Sequence, residues 1–150
     1  MTCMERELVI GKQTVVFDRD ATINLYQKTI TVAGSETCVC IPCKNFAAQK
    51  ENLFPVEFLA LLEQLGIDWA KEWEAFEYDW NESNTSEPVL YGGWFLFVGK
   101  LVSGSETPPA LRDGFAFWVA TSFPTGTLES PARLCAVQFL TRIPWVLTAY

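Results

Sequence analysis

The last third of the chain holds three apolar runs, Tyr91 to Val102, Gly114 to Phe123 and Leu134 to Ile143, and in each both alternating faces are largely apolar. Trp94, Leu96 and Val98 oppose Phe95 and Phe97, so a strand built here has no face to offer water. The connections between the runs carry Gly, Ser and Pro and contain no helix-length pattern, which favours antiparallel pairing over parallel crossovers. Such strands sit centrally in a sheet covered on both sides, or on one side with a second subunit on the other. Few architectures satisfy this in 150 residues.

Upstream, Phe54 to Leu65 reads as a helix. Phe54, Phe58, Leu61, Leu62 and Leu65 recur at helical spacing, Pro55 stands where a first-turn proline is tolerated, and Gly66 can end the element. Leu8 to Phe17 and Asn24 to Val32 read as strands. Asp68 is placed to cap a short helix through Glu74, and Ala75 to Trp80 alternates with a period of two. Asn81 to Pro88 is a loop by composition. The expected fold is α+β: a single domain, 1–150, with a mostly antiparallel sheet and one main helix packed on it.

Composition narrows function mainly by exclusion. The chain has no histidine, which removes Ser-His-Asp and Cys-His catalysis and His-ligated catalytic metals. A net charge of −7 with scattered Lys and Arg speaks against nucleic acid; only Arg133 and Arg142 share a short segment. The apolar runs are far short of a membrane span. The charged start MTCMERELVIGK has the wrong shape for a secretory signal. A cytoplasmic location is expected, and an odd number of cysteines, five, fits reduced thiols.

Three of those cysteines fall in CVCIPCKNF, at Cys38, Cys40 and Cys43. Three readings compete. As free thiols in a packed turn they are small hydrophobes, reduced and largely buried; this is the expectation, with no zinc and no other cofactor. As a metal knuckle, Cys40-x-x-Cys43 with Cys38 needs a fourth ligand, for which Cys135 is the leading candidate ahead of Cys3 or a carboxylate. As a redox pair, Cys40-Ile-Pro-Cys43-Lys44 resembles the active-site stretch of thioredoxin-like proteins. That chemistry needs a helix N-terminus, and Asn52 and Pro55 leave a helix from Lys44 only about two turns.

Two other stretches are weighed and set aside. Val15 to Thr22, with Asp18 and Asp20, resembles the first motif of haloacid-dehalogenase-type phosphatases, but no second acidic pair follows. Trp94 to Leu101 imitates a phosphate-binding loop without its first glycine or its final hydroxyl. By contrast, Asp68 to Glu87 holds seven carboxylates against one lysine, interleaved with tryptophans. Trp69, Trp73, Glu74, Glu77 and Trp80 are the residues a basic protein partner would dock on.

In order along the chain, CVCIPCKNF, FPVEFLALLEQLGID, YGGWFLFVG and IPWVL resemble a group of bacterial proteins of uncharacterised activity. That resemblance implies a small standalone domain and transfers no catalytic residue. The expected function is a small binding or protein-interaction domain rather than an enzyme. A thiol-disulfide oxidoreductase using Cys40 and Cys43, or a cysteine-cluster zinc domain, are the alternatives. A homodimer is expected from the doubly apolar strands.

Overall fold

The computed structural model describes residues 5–80, 87–123 and 133–147. The elements run β1 (Glu5–Ile10), β2 (Gln13–Asp18), α1 (Arg19–Lys28), α2 (Gly34–Thr37), α3 (Ile41–Gln49), a single 3-10 turn (Lys50–Asn52), α4 (Val56–Leu65), β3 (Glu74–Glu77), β4 (Val89–Ser103), β5 (Phe115–Ala120) and β6 (Leu134–Ile143). All pairings are antiparallel, in the order β1-β2-β4-β6-β5, with β3 on β4 as well. The fold is α+β, with helices α1 to α4 alongside one six-stranded sheet.

The three apolar runs are β4, β5 and β6. The helix read from periodicity is α4, entered through Pro55 and closed by Gly66 in the left-handed conformation, φ +87°. Phe58 of α4 and the neighbouring Phe54 lie among Phe95, Phe115 and Phe139, with centroid separations of 5.0 to 6.3 Å. Phe95, Leu96 and Phe97 are all fully buried inside one chain. Covering both faces of β4 therefore requires no second subunit.

Three local expectations are corrected. Leu8 to Phe17 is a hairpin, because Gly11 takes φ +61° and reverses the chain between Ile10 and Gln13. Asn24 to Val32 is not a strand: helix α1 occupies Arg19 to Lys28. Asp18 caps it, accepting a hydrogen bond from the Ala21 N–H at 3.0 Å, so the phosphatase-like aspartate serves as an N-cap. The short helix from Asp68 is only a turn. The Asp68 carboxylate accepts from Ala70 N–H at 3.0 Å, and the chain is extended again by Glu74.

The reason α1 is helical lies on β4. On one edge β4 pairs with β6 over Val89 to Val98. On the other it pairs with β3 over Tyr91 to Trp94 and with β2 over Gly99 to Ser103. Leu96 and Val98 fall in the gap between those two partners. There the Tyr26 hydroxyl accepts from Leu96 N–H at 3.0 Å and donates to Leu96 C=O at 2.6 Å. The Thr22 hydroxyl accepts from Val98 N–H at 3.0 Å. Thr22 and Tyr26 are four residues apart, on one helical face. Two hydroxyls thus complete the ladder where no strand reaches it.

Gln13 plays the same part on β5. Its side-chain amide donates to Val119 C=O at 2.9 Å and accepts from Val119 N–H at 2.8 Å, tying the edge strand back to β2. The edge thereby loses a docking point for another strand. We expect Gln13→Ala, which leaves a buried donor and acceptor unmatched, to lower stability by about 2 kcal/mol in urea unfolding. Unchanged stability would show that water replaces the amide without cost.

Burial pushes the Tyr26 phenol well above its usual value near 10, and pushes Tyr91 up to about 12. In the unfolded chain both ionise near 10. Stability from both groups is therefore fully present below about pH 10 and is lost above it, for Tyr91 as pH rises from 10 through about 12. Unfolding midpoints across that range should fall for the wild type and fall less for Tyr91→Phe. An identical alkaline loss in the variant would remove Tyr91 from the account.

Candidate functional site

The chain between α1 and α4 carries the cysteines, and two buried polar clusters hold it. Glu72 is the centre of the first. Its carboxylate accepts from Ser35 N–H at 3.0 Å, from the Ser35 hydroxyl, and from the Lys50 ammonium at 3.0 Å; Lys50 also donates to Ala70 C=O at 2.8 Å. Glu72 is fully buried and Lys50 nearly so. Glu36 adds a more exposed contact to Lys50 at 3.2 Å. Gly34 N–H donates to Glu72 C=O at 2.7 Å, and a side chain at Gly34 would collide with the Trp73 carbonyl. Helix α2 is thereby fastened to the start of β3.

Asn45 is the centre of the second. Its amide donates to Pro144 C=O at 3.2 Å and accepts from Val146 N–H at 2.9 Å, and Gln49 donates to the same Pro144 carbonyl at 2.7 Å. Tyr91, on β4, donates to Pro42 C=O at 2.7 Å and lies 3.5 Å from the Asn45 amide nitrogen. One residue on, Phe46 is fully buried against Phe54, Tyr91 and Phe139. Helix α3 is thus locked to β4 and to the chain after β6.

Between these anchors, Cys38 ends α2 and Cys40 is the N-cap of α3, both in extended conformation, while Cys43 lies in the first turn of α3. Their three sulfurs lie within 4.8 Å of one another. Cys38 and Cys40 are exposed and only Cys43 is buried, all three as free thiols. This corrects the expectation that all three are largely buried: the anchors hold α2 and α3 down by other side chains and leave their junction at the surface. Helix α3 also begins at Ile41, earlier than the sequence suggests, because Pro42 is accommodated in its first turn.

The three thiols are chemically unequal. Hydrogen bonding with Cys40, through its side chain first and then its backbone N–H, lowers the Cys38 thiol from its usual value. Burial, followed by hydrogen bonds to Cys40 and Cys38, raises Cys43 and keeps it protonated. Cys135 stands apart, buried on β6 with its thiol on the Gly99 carbonyl at 3.4 Å. Among the described residues it does not join the cluster, so the fourth-ligand expectation for Cys135 is corrected; its register opposite Phe97 commits it to the sheet. Cys3 lies outside the described residues.

The acidic aromatic segment divides among different surroundings. Trp69 is partly exposed and, with Ile23, Leu59 and Lys71, lines an open groove of about 700 Å³ between α1 and α4. Trp73 is half-buried against the core, its backbone N–H bonded to Trp94 C=O. Trp80 stacks on Trp145 at 5.5 Å. Glu74 is exposed and Glu77 half-buried on β3, next to α2 and α3. Glu74 acts electrostatically on Cys38. Glu72, one of the seven carboxylates of this segment, is instead the buried anchor. Sequence reading missed it, along with Ser35, Lys50 and Tyr91, because their partners are tens of residues distant. Asn45, in CVCIPCKNF, and Tyr91, in YGGWFLFVG, stood within the motifs of the resemblance.

The chain matches no family model, no curated protein and no solved structure. What fold and site define is a small α+β domain presenting a three-thiol cluster at a helix junction. We expect Lys50→Met, which strands the buried Glu72 carboxylate, to cost about 3–5 kcal/mol, and Lys50→Met with Glu72→Met to recover much of that. Comparable losses in single and double variants would show that the ion pair is not what holds the junction.

Proposed function

We propose that this chain is a small binding domain whose working centre is a thiolate metal site formed by Cys38, Cys40 and Cys43, with zinc as its ion. The observation that carries the reading is the mutual approach of the three sulfurs within 4.8 Å. Tetrahedral zinc-thiolate bonds of about 2.3 Å place sulfurs about 3.8 Å apart. The cluster therefore needs only side-chain rotation to close on an ion. Zinc and copper(I) are the ions that thiolates select, and the absence of histidine leaves an all-sulfur donor set with one further position.

That further position faces outward, because Cys38 and Cys40 are exposed. Three protein ligands and an open fourth suit an exchangeable ion, or one bridged to a partner's ligand, better than a closed structural site. The neighbouring polar anchors support the same distinction. Glu72, Lys50, Asn45 and Tyr91 already hold α2 and α3, so folding does not depend on the metal. Deprotonating Cys43 releases a proton on binding, and affinity rises with pH.

The test is a titration of the reduced protein with zinc against a chromophoric chelator, with cobalt(II) as a spectroscopic substitute. One ion per chain, thiolate-to-cobalt charge-transfer bands, and loss of both in Cys40→Ser with an unchanged unfolding midpoint are the expected results. A reduced wild type that binds no zinc at micromolar concentration would overturn the reading. Binding retained in Cys40→Ser would place the ion elsewhere.

A further inference from the structure

Cys38 and Cys40 have a second chemistry available to them. Their sulfurs lie 3.0 Å apart, and both are exposed. A disulfide bond is about 2.0 Å long, so about 1 Å of approach separates the pair from bonding distance. The backbone at both positions is extended and belongs to the junction between α2 and α3. It can adjust without breaking the bonds inside either helix. Val39 between them is 85% exposed and is held by no core packing. Cys43 differs in being buried and in lying within the first turn of α3.

We infer that Cys38 and Cys40 form a reversible redox-modification site, converted by a peroxide into an intrachain disulfide. One thiolate attacks a peroxide oxygen, the O–O bond breaks, and a sulfenic acid forms as one water leaves. The neighbouring sulfur then attacks the sulfenic sulfur. The S–O bond breaks, and the hydroxyl leaves as a second water with the thiol proton. Two thiols have lost two electrons and two protons, and hydrogen peroxide has been reduced to two waters. A small dithiol reverses the change by thiol-disulfide exchange, becoming a disulfide itself. The consequence for metal rests on the reading proposed above: oxidation removes two of the three thiolates, and Cys43 alone does not hold the ion.

Metal-free, reduced full-length protein is treated with equimolar hydrogen peroxide and followed by intact mass and by alkylation under denaturing conditions. The expected result is loss of two hydrogens per chain, restored by dithiothreitol. That loss persists in Cys43→Ser and disappears in Cys38→Ser and Cys40→Ser. In the last two, the remaining exposed thiol is trapped as a sulfenic acid by dimedone. Loss of two hydrogens that disappears in Cys43→Ser, a covalent dimer as the main product, or direct conversion to sulfinic acid would each overturn the proposal. A parallel zinc titration separates the two readings. If reduced protein binds no zinc, the metal reading fails while the mass measurement still decides this one. Oxidised protein that retains one zinc per chain would overturn the coupling.

Discussion

The open stretch of β4 at Leu96 and Val98 is the constraint on which the remaining structure depends. A 15-residue strand at the centre of a sheet needs partners along both edges. β3 and β2 each reach only part of one edge. An unmatched buried amide or carbonyl costs about 1–3 kcal/mol, so the gap has to be filled. Tyr26 fills it with a hydroxyl that both accepts and donates, and Thr22 adds an acceptor one helical turn earlier. Once α1 is set against β4 in this way, the chain leaves it beside β3, with α2 and α3 both in contact with that strand.

That placement explains why the cysteines are at the surface and yet close together. Glu72 with Lys50 and Ser35 secures one side of the junction, and Asn45 with Tyr91 and Pro144 secures the other. Both are buried polar clusters with their main partners satisfied, a state that fixes one geometry more sharply than apolar contacts do. Cys38 and Cys40 inherit that geometry while staying exposed, and Cys43 is buried beneath them. Function-bearing residues on a short connection held by a rigid frame are a common arrangement, since the frame supplies precision and the connection supplies access.

The same geometry accounts for the two chemistries proposed for the cluster. Three sulfurs close enough to share an ion are also close enough for two of them to bond, and exposure opens both routes to solvent. The buried thiol of Cys43 distinguishes them. In the two proposals it supplies a third ligand when the outer pair is reduced and, being buried, stays outside the bond between Cys38 and Cys40. Metal occupancy and thiol oxidation state then become linked properties of one short segment, by simple competition for the sulfurs.

The doubly apolar runs at 91–102, 114–123 and 134–143, with helix-free connections between them, determined the antiparallel pairing of the last three strands. Period, Pro55 and Gly66 likewise determined α4. The α1 region was misread since Tyr26, Ile30 and Val32 alternate as a strand would. Only the folded chain brings Asp18 to cap that segment and β4 to bond its hydroxyls, and tertiary hydrogen bonds outweigh local preference. Cysteine spacing identified the cluster but not its exposure, since free cysteine is buried on average and exposure here follows from anchors elsewhere. The pairing of Glu72 with Lys50 and Ser35, 22 and 37 residues away, left no local trace. Local order was written in periodicity and turn chemistry, whereas the site was decided by long-range polar contacts, which have no period to read.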